Sequence, residues 1–386
     1  MNRNFGCGSL LKLGLTMPTK DVLSTLLDLL SYNSPSRSER DVSFYCAERL
    51  RNIGFDVRWD ASNSATGSNV GNLIATLPAT DTSLPGLLFA AHLDTVEPTP
   101  GINVVVDGDV ISATSDTILG GDDKCGAAPI ICAMEEIVAK NIPHGQLQVV
   151  FTTCEEIGLV GAANIDQTML TSDYGFVLDG GPPLGSIVTA APASECLEIT
   201  VHGKAAHAGA EPEKGINAIV AAAKAIASFP VGRIDAETTN NVGVITGGQA
   251  RNVVPDTVTI IAEARSRNQT KLEEQLATIK TAFEIESTKM GATVSIRTTN
   301  SYPAYHLTND FPVISLAAQA ASNIGFPPQF RESGGGTDAN HFNGFGIPTA
   351  VLATGMELIH THDEFCTVSA LHGNVTWIIE IVKMAR

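Results

Sequence analysis

Apolar residues fall into two regimes along this chain. In the first half they gather in short, nearly unbroken runs: Asn72 to Leu77, Leu87 to Ala91, Leu147 to Thr153 and Tyr174 to Leu178. Runs of that length and density read as strands buried on both faces. Stretches with helical spacing separate them. Leu23, Leu26, Leu27 and Leu30 share one face of a helix that Thr19 can cap. A second helix near 37–53 is stopped by Gly54, and an Ala/Ile-rich one runs from about Lys124 to Lys140. Strands alternating with helices predict a mostly parallel sheet covered on both sides.

The pattern changes near residue 192. From there the order reads strand (195–203), helix (215–228), strands (241–247 and 256–266), helix (270–289) and strand (292–299). Thr270 and Glu273 have capping-box spacing; Leu272, Leu276, Ile279 and Phe283 line one helix face, and Gly291 stops it. This βαββαβ unit, ferredoxin-like in order, is complete in itself, so residues 192–300 are expected to form an inserted domain. The first pattern then resumes with a helix near 311–323, a strand near 349–353 and a helix near 368–384. The fold class is therefore α/β. Residues 19–191 and 301–386 form the sheet domain, and residues 1–18 form a disordered or extended lead-in. The apolar run of that lead-in, Leu10 to Leu15, is interrupted by Lys12 and Gly14, and Met17 offers a second start.

A net charge of −17 over 386 residues argues against partners with a phosphate backbone, so neither nucleic acid nor an anionic membrane is expected. No run is long enough to span a bilayer. The seven cysteines include no C-x-x-C pair, which predicts neither a disulfide framework nor a structural zinc site. A reducing cytoplasm is the expected compartment.

The chemistry gathers beside the apolar runs, where open α/β sheets place their ligands. Four segments offer imidazole or carboxylate: Ala91-His92-Leu93-Asp94-Thr95, Gly120-Gly121-Asp122-Asp123-Lys124, Cys154-Glu155-Glu156-Ile157-Gly158 and Val177-Leu178-Asp179-Gly180. A fifth, His360-Thr361-His362-Asp363-Glu364, follows the strand near 349–353. These are donors for zinc, manganese or cobalt, and only a carboxylate readily bridges two ions. On extended backbone, adjacent Glu155 and Glu156 point different ways, so one can hold a metal while the other faces water. Cys154, in an apolar strand with no histidine base nearby in the sequence, reads as core.

Taken in order, H-L-D-T-V, G-G-D-D-K-x-G, E-E-I-G, L-D-G and H-x-x-x-E-F resemble the M20 metallopeptidase family, and within it the peptidase T branch of tripeptide aminopeptidases. The resemblance begins near residue 20 and includes the insertion. It implies two divalent metal ions per chain, zinc foremost. His92, Asp122 and Asp179 would hold one; Asp122, Glu156 and His360 would hold the other, with Asp122 shared. Asp94 would accept a hydrogen bond from His92, and Glu155 would act as general base on water. The Asp122–Asp123 bond is a candidate cis peptide. Family spacing selects His360 over His362, since it keeps histidine four residues before Glu364.

The same resemblance makes the insertion a lid and dimerisation domain. His207, in Ala206-His207-Ala208-Gly209, would steady the oxyanion from the partner chain of a homodimer. Ile216, Ile219, Val220 and Ala223 are spaced for a lid contact or for packing on the lid's own sheet, which is expected to have four strands. Asn252 and Arg265 would meet the substrate, although Arg265 could instead pair with Glu263 or Glu195. Gly334-Gly335-Gly336-Thr337-Asp338 resembles a loop near the active site. The implied activity is hydrolysis of the N-terminal bond of short peptides, tripeptides above all. Dipeptidase, carboxypeptidase or N-acyl-amino-acid deacylase chemistry is the alternative within the family.

Overall fold

The computed structural model describes residues 21–114 and 116–385; the lead-in, Thr19 and Cys7 lie outside them. Strands Leu87–His92, Leu147–Thr152 and Thr349–Ala353 are buried at every position, as expected for strands covered on both faces. They belong to a nine-stranded sheet. Leu87–His92 lies parallel to Leu147–Thr152 on one side and to Tyr174–Gly180 on the other. Tyr174–Gly180 in turn pairs parallel with Thr349–Ala353. Antiparallel pairing enters toward both margins, through Leu73–Leu77 against Leu147–Thr152 and Ser186–Ala191 against Thr349–Ala353. The parallel character is thus concentrated at the centre, where helices cover both faces.

The helix Gly121–Ala139 is buried along most of its length and packs near the middle of this sheet. Gly126 makes the approach possible: a Cβ there would lie 2.1 Å from the carbonyl oxygen of Leu178. In the first helix, Val22–Leu30, the buried side includes Leu26, Leu29 and Leu30, while Leu27 faces outward. The expected four-leucine face is therefore rotated. Among the described residues, no helix is long and apolar enough to cross a membrane.

The insertion folds on its own antiparallel sheet, strands Ala193–His202, Thr238–Gly247, Thr257–Ser266 and Thr293–Tyr302. A two-residue strand, Gly232–Arg233, extends the expected four to five. Alternating burial along Thr257–Ser266 sends Val258, Ile260, Ala262 and Ala264 into a core shared with helices Ala218–Ala227 and Gln269–Lys289. The long helix is capped by Asn268, whose side chain accepts the Lys271 amide, so the start lies earlier than the Thr270 box predicts.

Candidate metal centre

His92 ends its buried strand at the carboxyl edge of the sheet, only 2% exposed. Its Nδ1 lies 2.8 Å from the carbonyl oxygen of Asp94, which leaves Nε2 to face the site. The Asp94 carboxylate is 3.6 Å from that ring, beyond hydrogen-bond reach, so the acceptor is the backbone of Asp94 and not the expected side chain. The carboxylate has another task. It accepts the Glu155 amide at 2.9 Å, the Glu156 amide at 3.1 Å and the Ser36 hydroxyl at 2.6 Å.

The Asp122–Asp123 peptide is cis. Glu364, buried and remote in sequence, accepts the Gly120 and Asp122 amides at 2.8 and 3.0 Å. Asp122 then divides its two oxygens between two imidazoles. Oδ1 is 3.1 Å from His92 Nε2 and Oδ2 is 3.2 Å from His360 Nε2. His360 Nε2 also lies 3.0 Å from Oε1 of Glu156, and Glu155 Oε2 is 4.0 Å from His92 Nε2. His360 reaches inward from a backbone with φ of 63°.

Two groups of donor atoms, each within 4.8 Å of one another, lie here: His92 with Asp122 and Glu156, and His92 with Asp123 and Asp179. The sequence marks Asp123 only as the partner in a candidate cis bond, and Glu364 only by its spacing from His360. Neither role has a local sequence signal, because both depend on chain segments far apart.

The electrostatics favour a cation. Burial raises the Glu155 carboxyl well above its usual range against the pull of His92, and Asp179 and Asp338 add to the rise. Burial and neighbouring carboxylates raise Asp179 and Asp123 likewise. Burial opposes ionisation of Asp122 too, yet hydrogen bonds from His360 and His92 hold it well below the ordinary carboxylate value. Asp122 and Glu156 push His360 up to about 10. Carboxylates that favour an imidazolium this strongly will favour a metal ion on the same side.

A cavity of about 350 Å³ is lined by His92, Asp122, Glu155, Glu156, Asp179 and His360 together with Arg265, Tyr302 and Gly335–Thr337. Arg265 pairs with Glu263 at 2.9 Å, while its Nε is buried without a partner. The ion pair and a place in the cavity wall therefore coexist. His207 and Asn252 are not part of this wall; both are exposed on the lid of their own chain. His207 Nδ1 accepts the Gly209 and Ala210 amides, which leaves its proton on Nε2.

The family model of a peptidase dimerisation domain, M20_dimer, matches residues 195–290, and that of peptidase family M28 matches residues 72–182. The uncharacterized protein YqjE of Bacillus subtilis (strain 168) is 39% identical over 366 residues, 95% of this chain and 98% of that protein. The crystal structure of an aminopeptidase PepT from Bacillus cereus ATCC 10987 superposes with a TM-score of 0.86 at 40% identity, over 94% of this chain and 98% of that one. That of a tripeptidase from Staphylococcus aureus gives 0.89 at 33% identity, over 94% and 97%.

Proposed function

Since the chain belongs to the M20 peptidase family, close to peptidase T, and is on that ground a metallopeptidase, we propose that it removes the N-terminal residue of short peptides, tripeptides above others. The observation that carries this is Asp122, with one oxygen toward each of two histidines, in the same cavity as Glu155 and an arginine whose Nε is unpaired.

The donors fit a pair of divalent cations. His92, Asp122 and Asp179 would hold one, and Asp122, Glu156 and His360 the other; in support, His360 lies near Asp122 and Glu156, and Asp179 is grouped with His92, although Asp123 and not Asp122 is the third donor of that group. Zinc suits this nitrogen and oxygen set best, and manganese or cobalt would also be accepted. When bound, such a pair polarises a carbonyl and makes water acidic near neutral pH. Glu155 takes the proton of the attacking water on its carboxylate and delivers it to the departing amine. Arg265 offers its guanidinium to the free carboxylate at the far end of the peptide, a planar match that limits substrate length.

His207 completes the site from a second subunit, its Nε2–H donating to the oxyanion. The support is the match to a dimerisation domain, the absence of His207 from its own chain's cavity wall, and an outward apolar face. Ile219 and Val220 are 38% and 40% exposed on the lid helix, with Val244 and Ile245 exposed on the lid sheet. A reducing cytoplasm is the proposed compartment, in keeping with six described cysteines that form no disulfide among the described residues.

A substrate panel tests the reading. With added zinc, manganese or cobalt, tripeptides should release their N-terminal residue, while N-acyl amino acids and dipeptides should be poor substrates. Faster cleavage of N-acyl amino acids would place the enzyme with the deacylases of the family.

A further inference from the structure

Cys154 stands where strand Leu147–Thr152 gives way to the loop carrying Glu155 and Glu156. Its φ is 56°, a left-handed conformation that disfavours every residue with a side chain except in special settings. The backbone here is held from below. Three consecutive amides, those of Cys154, Glu155 and Glu156, are taken up by just two buried carboxylates. Asp94 accepts the second and third, and Glu39 accepts the first at 3.0 Å.

Glu39 is fully buried, where an unpaired carboxylate would be costly. It stands at the N-cap of helix Arg40–Asn52, yet its side chain makes no capping bond to that helix. Oε1 accepts the amides of Arg37 and Cys154, with the Cys154 thiol 3.5 Å away. Oε2 accepts the Ser68 hydroxyl at 2.5 Å. None of these partners is a proposed metal ligand. The carboxylate is committed to fixing the chain at residue 154, across 115 residues of sequence.

We propose that Glu39 is a positioning residue for Glu155: by accepting the Cys154 amide it enforces the left-handed turn that presents the Glu155 carboxylate to the cavity. The inference rests on the reading of Glu155 as general base. Misplacing a reacting group by about 1 Å can cost on the order of 100-fold in rate.

The test compares E39A, E39Q, the double variant E39A/C154G and E155Q in kcat, KM, bound metal and Tm. E39A should lose roughly 10- to 100-fold in kcat while KM and metal content stay within about twofold, since Asp94 still holds the next two amides. E39Q keeps an acceptor for the Cys154 amide and should retain kcat within about threefold. Glycine takes a positive φ without strain, so E39A/C154G should recover about tenfold of the loss, although it removes still more packing. A purely structural Glu39 predicts the reverse, with the double variant worse than E39A. Wild-type kcat in E39A, a double variant no better than E39A, or an E39Q as slow as E155Q would each overturn the proposal. Wild-type turnover in E155Q would instead overturn the base assignment, independently of the Glu39 series.

Discussion

Glu364 fastens Asp122 in place: its Oε1 accepts the Asp122 amide at 3.0 Å, and its second oxygen takes the Gly120 amide at 2.8 Å. The residue proposed to be shared between two metals therefore has its backbone fixed by a buried carboxylate from the far end of the chain. Outer partners of this kind typically contribute 10- to 100-fold in metal affinity. E364A should weaken metal binding by about that factor, read by competition with a chelator, and E364Q should lose less. Unchanged affinity in E364A would remove this role.

The two histidines before Glu364 are separated by their surroundings. His360 lies 3.0 Å from Glu156 and 3.2 Å from Asp122, whereas His362 is exposed and lines no part of the cavity. H360A should lower affinity for one of two bound ions by about 10- to 100-fold, and H362A should leave both within about twofold. Metal titrations of the two variants check this, and the opposite ranking would exchange the assignments.

Arg265 carries the preference for a free C-terminus. Amidating a tripeptide removes the charge it would grip, and kcat/KM should fall by about 10- to 100-fold for the wild type, within the usual range for a hydrogen bond to a charged group. In R265A the free and amidated peptides should become nearly equal. Equal rates in the wild type would show that the grip does not exist.

Stability should also vary with pH through a group outside the site. His341 is 7% exposed, stacked on Phe345, and burial pushes its pKa down to about 4. The unfolded chain, with a histidine near 6.5, binds more protons between those values. Stability from this group is thus fully present above about pH 6.5 and is lost as pH falls toward 4. The drop in Tm from pH 7 to pH 5 should be smaller in H341F than in the wild type; an equal drop would show that another group is responsible.

The sheet core was legible because burial on both faces leaves an unbroken apolar run, as in Leu87–His92 and Thr349–Ala353. The strands Val104–Asp107 and Val110–Ala113 carry only short apolar runs, Val104–Val106 and Val110–Ile111, and most of these positions are half-exposed or exposed, so the runs do not mark a strand of the buried sheet. In the candidate site, the motif order named His92, Asp122, Glu155, Glu156, Asp179 and His360, which the fold gathers around one cavity. The supports of that cavity were not legible. Glu39 and Glu364 act on residues 115 and 244 positions away, and such pairings have no period or spacing to read. Asp94 shows a subtler limit, since its side chain serves the Glu155–Glu156 backbone while its carbonyl meets the histidine.

Glu155 is proposed to move a proton in a site whose other carboxylates and histidines hold metal. The most direct test is E155Q, an uncharged replacement of the same shape, with kcat on a tripeptide and bound metal measured on one preparation. E155Q should lose roughly 100- to 10,000-fold in kcat with metal content unchanged. Wild-type turnover, or a loss of rate that tracks loss of metal, would contradict it.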